Sequence, residues 1–111
     1  MKRLRTIVLL VAALALVAAA CGDDEGGEYD LVADGTLTVC TDAPYPPMEI
    51  IDDDGNFTGF DIEIMRAIAD ELGLDLEVLN AGFDSITSGL AMEGGQCDIA
   101  AASITITAER E

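Results

Sequence analysis

Three short segments of β-type sequence limit most strongly what this chain can fold into. They are rich in Ile, Val, Leu, Ala and Thr, and they cover residues 35–41, 74–79 and 98–102. A helical pattern lies in each interval, over residues 61–72 in the first and 85–93 in the second. Strand and helix therefore alternate as βαβαβ, an order that favours a parallel sheet with right-handed crossovers. In such sheets, ligands bind beyond the carboxyl ends of the strands.

The first predicted helix carries one apolar stripe. Ile64, Ile68 and Leu72 recur every four residues, close to the 3.6-residue period of an α-helix. Met65 and Ala69 lie beside them and widen the stripe. This spacing is typical of an amphipathic helix.

Polar and glycine residues predict where the helices begin and end. Asp61 is expected to cap the first helix, and Gly73 to end it. Asp84 is the predicted cap of the second helix, which Gly94 terminates together with the following glycine. A further short helix, capped by Thr107, is an open possibility for the last residues.

A proline-rich loop and a hairpin separate the first strand from the first helix. Three prolines within residues 42–47 exclude both helix and ladder pairing, which leaves a stiff loop at the strand's carboxyl end. Residues 48–51 and 56–58 flank a segment that ends in Asp-Gly. Because Asp-Gly is a strong hairpin signal, we predict two short antiparallel arms.

The same hairpin partly matches the loop that binds calcium in EF-hand proteins. Four oxygen-bearing residues fall at positions 1, 3, 5 and 12 of that template: Asp52, Asp54, Asn56 and Glu63. The required glycine at position 6 is Phe57, and Pro46 and Pro47 interrupt the helix that should precede the loop. We therefore predict a hairpin turn with solvated acids, and no metal site.

The N-terminal segment predicts export. Basic residues at positions 2, 3 and 5 precede an uncharged stretch over 7–20, and three alanines stand before Cys21. This is the pattern of a secretory signal helix, and it is shorter than the roughly 20 residues that span a bilayer. Its resemblance to a bacterial lipoprotein signal implies lipidation of Cys21, with residues 1–20 removed. An uncleaved anchor and an ordinary cleavage that leaves a free thiol are the alternatives.

Charge and composition exclude several kinds of function. The chain has 5 basic and 22 acidic residues, so nucleic acids and anionic membrane surfaces are poor partners. Without histidine, the chain forms neither a His-based triad nor a His-ligated zinc site, and we predict no cofactor. Removal of residues 1–20 leaves a strongly acidic soluble chain, in which residues 21–33 form a flexible, glycine- and acid-rich tether.

Two cysteines remain if Cys21 carries lipid. Cys40 and Cys97 lie at the ends of predicted strands, so their proximity depends on the order of the strands in the sheet. In an oxidising compartment they form one disulfide or stay as two buried thiols, and the sequence leaves both open.

Four ordered motifs carry a family resemblance. They read Thr-Asp-Ala-Pro-Tyr-Pro-Pro-Met-Glu (41–49), Gly-Phe-Asp-Ile-Glu-Ile-Met-Arg-Ala-Ile-Ala (59–69), Phe-Asp-Ser-Ile-Thr-Ser-Gly-Leu (83–90) and Cys-Asp-Ile-Ala-Ala-Ala-Ser-Ile-Thr-Ile-Thr-Ala-Glu-Arg (97–110). Over residues 34–111 the chain resembles the extracellular solute-binding proteins of polar amino acid ABC transporters, family 3. The resemblance implies a type II periplasmic-binding-protein-like fold with two lobes, of which residues 34–111 are part of the first. We therefore interpret the chain as an N-terminal fragment, and whether it folds or binds alone is open.

The resemblance also implies which residues bind the backbone of an amino acid. Arg110 matches the family's ligand for the α-carboxylate, and a planar guanidinium suits a bidentate grip on that group. Thr105 matches a position whose hydroxyl and backbone N–H meet the same carboxylate. Ser103 matches a position whose backbone carbonyl receives the α-ammonium.

Other positions match residues that contact the ligand's side chain. Tyr45 and Phe83 match positions that pack on its stem. Asp42 matches a position that meets its polar end, and with Glu49 nearby this indicates a cationic or amide side chain. Asp61 is interpreted as a helix cap and not as a ligand contact.

The leading hypothesis is therefore a binding protein that delivers a polar amino acid to the permease of an ABC importer. It would be held on the outer face of the bacterial membrane by lipid on Cys21, or lie in the periplasm. An enzyme on the same fold is one alternative, either a cyclohexadienyl or prephenate-type dehydratase or a transglycosylase with a similar sensing domain. The sensor domain of a kinase or channel is another.

Overall fold

A computed structural model describes residues 29–110 of the chain. The predicted signal helix, Cys21 and most of the predicted tether lie outside these residues. In chain order the elements are β1 (Thr36–Thr41), β2 (Ile50–Ile51), β3 (Phe57–Thr58), α1 (Phe60–Leu72), β4 (Asp75–Asn80), α2 (Phe83–Thr87), α3 (Leu90–Glu93) and β5 (Ile99–Ala100). None of the described helices is long and apolar enough to cross a membrane.

The main sheet has three parallel strands in the order β4-β1-β5. Val39 in the central strand is in register with Val78 on one side and Ile99 on the other. The predicted parallel βαβαβ arrangement is therefore confirmed. Since β1 is covered by a strand on each side and by helices on both faces, five of its six residues are buried.

Helices pack on both faces of the sheet, because side chains of a strand alternate between the faces. On one face, Leu37 and Val39 contact Ala69 of α1. On the other face, Cys40 and Ala102 belong to a second buried cluster with Ile86 and Ala91, from α2 and α3, and with Cys97.

Strands β2 and β3 form the predicted hairpin. Asp52 stabilises its turn, since its carboxylate accepts the backbone N–H groups of Asp54 at 3.0 Å and Asn56 at 2.8 Å. The Asn56 backbone N–H, foremost among these contacts, holds the pKa of Asp52 below its usual value. Within residues 29–110, no group of three or more acids or cysteines is placed to hold a metal ion.

Helix α1 differs from the prediction at its start and in the face that it buries. The N-cap residue is Gly59, so Asp61 lies in the first turn and does not cap the helix. The buried positions are Ile62 and Ala69, with Met65 packed beside them. The stripe of Ile64, Ile68 and Leu72 is 39–41% exposed, because it follows the edge of the buried face. Gly73 ends the helix in a left-handed conformation, as predicted.

The second predicted helix is two short helices. It begins at Phe83 after the N-cap residue Gly82, so the prediction that Asp84 caps it is wrong. Gly89 interrupts it with a left-handed backbone, at φ 83°. Gly94 is the C-cap of the second part, at the predicted end.

The ends of the described region also differ from their predictions. Residues 103–110 form no helix; Thr107 instead accepts the Arg110 backbone N–H through its carbonyl, which closes a turn. At the other end, Leu31 packs against the α1 side of the core, and the Val32 N–H donates to Asp98. Leu31 and Val32, within the range predicted as a tether, therefore contact the folded part of the chain.

Cys40 and Cys97 are joined by a disulfide in the structure, with Cα atoms 5.7 Å apart. Strand order brings them together: β5 pairs directly with β1, and the Asp98 N–H donates to the Thr38 carbonyl. The two cysteines are 0% and 2% exposed, so the link lies within the core.

Candidate functional site

A cavity of about 340 Å³ lies at the carboxyl edge of the main sheet. Its lining comes from the segments that follow all three strands: Asp42, Ala43, Pro44, Tyr45, Phe83, Ala102 and Ser103. Parallel strands end at the same edge, so residues distant in sequence meet there. Four of the six ligand contacts that the family resemblance implied line this one cavity.

The other two implied contacts, Arg110 and Thr105, touch each other, and Arg110 lies over Phe83. The guanidinium carbon of Arg110 is 5.4 Å from the centre of the Phe83 ring, a cation–π distance. Its Nη1 atom donates to the Thr105 carbonyl at 3.1 Å. Among residues 29–110, the ion pair of the structure joins Arg66 to Glu63, so no described carboxylate neutralises Arg110.

Ser103 has an unusual backbone at the wall of the cavity. It is the one described residue other than glycine with a positive φ, at 47°. Its backbone N–H donates to Asp61 Oδ2 at 2.7 Å, and its hydroxyl lies 3.1 Å from the same oxygen. The hydroxyl is also 3.2 Å from Glu49 Oε1. A left-handed backbone conformation costs a serine about 1 kcal/mol or more. The contacts with Asp61 and Glu49 are therefore needed to stabilise this conformation of Ser103.

Glu49 lies behind Ser103 and outside the cavity lining. It is 1% exposed, and its Oε2 atom has no hydrogen-bond partner among the described residues. Burial first, and then the neighbouring carboxyl of Asp61, raise the pKa of Glu49 to about 7. Glu49 therefore does not offer an exposed charge to a ligand, which corrects its suggested part in selecting a cationic side chain.

The raised pKa of Glu49 predicts how stability depends on pH. The folded protein holds this proton more tightly than the unfolded chain, so the contribution is fully present below the ordinary value of 4.5 and is lost as the pH rises through about 7. We expect the melting temperature of the wild type, relative to Glu49→Gln, to fall by several degrees across this range. Thermal unfolding followed by circular dichroism from about pH 4 to about pH 9 measures it. If the difference in melting temperature between the wild type and Glu49→Gln stays constant with pH, the prediction is wrong.

An asparagine that the sequence did not single out fixes the loop after β1. Asn80, at the end of β4, accepts the Ala43 N–H at 3.0 Å and donates to the Ala43 carbonyl at 3.0 Å. This pair of bonds holds Asp42 and Pro44 in place on either side. Asn80 directly follows the predicted strand over residues 74–79, at the edge of the sheet where the ligand site was predicted. That position is the sequence feature from which its role near the site could have been predicted.

Comparison with known protein families gives a match over most of the chain. The sequence profile of the bacterial extracellular solute-binding proteins, family 3, matches residues 37–111. The chain belongs to this family. The resemblance noted from the four motifs is therefore confirmed.

Curated relatives of this family 3 chain include binding proteins and an enzyme. It is 30% identical to the arginine-binding extracellular protein ArtP of Bacillus subtilis over 105 residues, 95% of this chain and 39% of ArtP. It is 30% identical to the cyclohexadienyl dehydratase of Pseudomonas aeruginosa over 111 residues, 99% of this chain and 41% of that protein. The L-cystine-binding protein TcyJ of Escherichia coli is also 30% identical, over 94% of this chain and 38% of its own length. The chain thus spans about two fifths of these relatives.

Solved structures support the fold. The ancestral cationic amino acid solute-binding protein AncCDT-1 is 43% identical with a TM-score of 0.63, over 68% of this chain and 32% of that one. Domain 1 of TmArgBP, in its arginine-bound form, is 36% identical with a TM-score of 0.61, over 68% of this chain and 59% of that one. The predicted type II periplasmic-binding-protein-like class, with part of one lobe present, is confirmed.

Proposed function

We propose that this family 3 chain binds a polar L-amino acid at the cavity beyond the carboxyl ends of the strands. The observation that carries the proposal is the position of Arg110. Its guanidinium lies over Phe83 at the edge of the cavity and is turned toward Thr105. In a chain with 22 acidic residues, an arginine without a described carboxylate partner is available to bind a carboxylate from a ligand.

The cavity offers complementary groups for the rest of an amino acid. Ser103 supplies a backbone carbonyl for the α-ammonium, while Tyr45 and Phe83 supply apolar walls for the side-chain stem. Asp42 is the one carboxyl among the described lining residues, so it is our candidate partner for a cationic or amide end. The arginine-binding relatives, ArtP and TmArgBP, support a cationic ligand.

The setting that we propose is outside the cell membrane. Family membership supports export, and the sequence of residues 1–20 supports a cleaved signal with lipid on Cys21. Residues 34–111 would form part of the first lobe, which delivers the amino acid to the permease of an ABC importer.

Catalysis is the alternative, since a cyclohexadienyl dehydratase is among the relatives. We favour binding because Glu49, the described carboxyl with a raised pKa, is buried behind Ser103 and does not line the cavity. Incubating the protein with prephenate and following formation of an aromatic product tests this. Turnover would support the enzyme and contradict our proposal.

Replacement of Arg110 tests the binding site. We expect Arg110→Ala to weaken binding of the best ligand among the common L-amino acids by about 100-fold, because a charge-assisted contact to the carboxylate is lost. Isothermal titration calorimetry of the full-length protein measures the affinity.

Arg66→Ala is the matched control. Arg66 is the other arginine of the described residues, and it lies on the exposed side of α1 in an ion pair with Glu63. Its replacement should leave affinity unchanged. If Arg110→Ala binds as tightly as Arg66→Ala, the carboxylate assignment is wrong; if the wild type binds no amino acid, the proposed function is wrong.

A further inference from the structure

We propose that Asp61 and Glu49 are positioning residues for this site, which together hold Ser103 in its left-handed backbone conformation at the cavity wall. Neither residue lines the cavity of about 340 Å³, so neither is offered as a ligand contact. The proposal rests on the proposed function, since Ser103 is the residue expected to receive the α-ammonium.

Asp61 is free for this role because the loop before α1 already satisfies the start of the helix. The Phe60 N–H donates to the Pro47 carbonyl, and the Asp61 N–H to the Met48 carbonyl, both at 3.0 Å. A capping side chain normally provides such acceptors. With these groups occupied, the Asp61 carboxylate reaches across 42 positions of sequence to the Ser103 N–H.

The short hydrogen bond to Asp61 offsets the free-energy cost of the left-handed backbone conformation of Ser103. A serine with φ at 47° persists only where surrounding groups determine it. Here a carboxylate oxygen accepts the backbone N–H at 2.7 Å, and the hydroxyl of the same residue lies 3.1 Å from that oxygen. These contacts hold the Ser103 backbone in place before a ligand arrives.

Glu49 completes the arrangement as the second acid of a pair. Its Oε1 atom lies 3.2 Å from the Ser103 hydroxyl, which has one proton to donate and two carboxyl groups facing it. The charged groups acting on Glu49 are the carboxyls of Asp61 and Asp42. Burial and the neighbouring Asp61 carboxyl favour the protonated form of Glu49, while the Asp61 carboxyl accepts from Ser103.

The binding test uses L-arginine and three variants of the full-length protein. We expect Asp61→Ala to weaken L-arginine binding by about tenfold to thirtyfold, because the acceptor for the Ser103 N–H is lost. Asp61→Asn keeps an acceptor oxygen and should bind within about threefold of the wild type. Asp70→Ala removes an exposed acid from the same helix and should have no effect. Equal affinities for Asp61→Ala and Asp70→Ala would overturn the proposal.

A second measurement requires no ligand. In the wild type, the NMR signal of the Ser103 amide should shift with a midpoint near pH 7, as Glu49 loses its proton beside the acceptor. In Glu49→Gln this titration should disappear, although the protein stays folded. A Ser103 amide that does not shift between about pH 5 and about pH 9 in the wild type would overturn the proposal. The NMR titration does not depend on whether L-arginine binds. A failure of the proposed function, seen as absence of binding, can therefore be distinguished from a failure of this proposal.

Discussion

Replacing both Cys40 and Cys97 by alanine is expected to lower the free energy of unfolding by about 4 kcal/mol. The disulfide closes a loop across 57 positions of sequence, and this constraint on the unfolded chain is lost when the link is removed. Because Cys40 lies two residues before Asp42, the loss should also loosen the loop at the cavity. Urea denaturation of the variant and the wild type measures the difference.

Reduction of the wild type provides an independent check of the same link. Dithiothreitol should lower the stability of the wild type to a value close to that of the double variant, and should leave the double variant unchanged. Cys21→Ser is the matched control, since it removes the third cysteine and leaves the Cys40–Cys97 pair intact. If reduction does not change the unfolding midpoint of the wild type, the two thiols are not bonded in solution.

Gly59→Ala is expected to lower the free energy of unfolding by about 3 kcal/mol or more. Two effects add. The backbone of Gly59 has a φ of 113°, which side chains rarely tolerate, and a Cβ atom there would meet the Met48 carbonyl oxygen and lie 2.8 Å from its carbon. These atoms belong to the backbone of the loop that receives the first N–H groups of α1, so they have little freedom to move.

Gly55→Ala separates the two effects. Gly55 has a similarly positive φ of 86°, but a Cβ atom there meets no atom within 4 Å. We expect it to cost only about 1 kcal/mol, from backbone strain alone. Thermal unfolding of both variants decides the matter: equal losses would mean that the loop before α1 yields to the added atom and is not a rigid support for Glu49 and Asp61.

The sequence was sufficient for the elements whose signals are local. Alternation and β-branched residues predicted the three strands, and Asp-Gly predicted the hairpin at Gly55. Gly73 and Gly94 marked helix ends correctly. At the first end Gly73 itself adopts the left-handed conformation that glycine tolerates, and at the second it is the following residue, Gly95, that does so. The order of these elements was enough to predict a parallel sheet with a site at its carboxyl edge.

The helix starts were predicted less well, for one physical reason. Asp61 and Asp84 both have the side chain of an N-cap, but each lies within the first turn after a glycine that occupies the cap position. At α1 the first backbone N–H groups are accepted by carbonyls of the loop before the helix, which local sequence does not reveal. The buried face of α1 also differs from the prediction: Met65 and Ala69 pack with residues of β1, and Ile62 is buried. The predicted stripe of Ile64, Ile68 and Leu72 is partly exposed.

By itself, the sequence determined the strand and helix order, the acidic charge, the family, and the identity of the residues proposed to contact an amino acid. Only the tertiary structure decided which distant residues act together: Asn80 on the loop after β1, Cys97 with Cys40, and Glu49 with Asp61 behind Ser103. The parallel packing of β4, β1 and β5 brings Asn80 to Ala43 and Cys97 to Cys40, which are 37 and 57 positions apart. Ser103, which follows β5, meets Asp61 and Glu49 across 42 and 54 positions. Burial then changes their chemistry, as in Glu49, whose pKa depends on neighbours that only folding supplies.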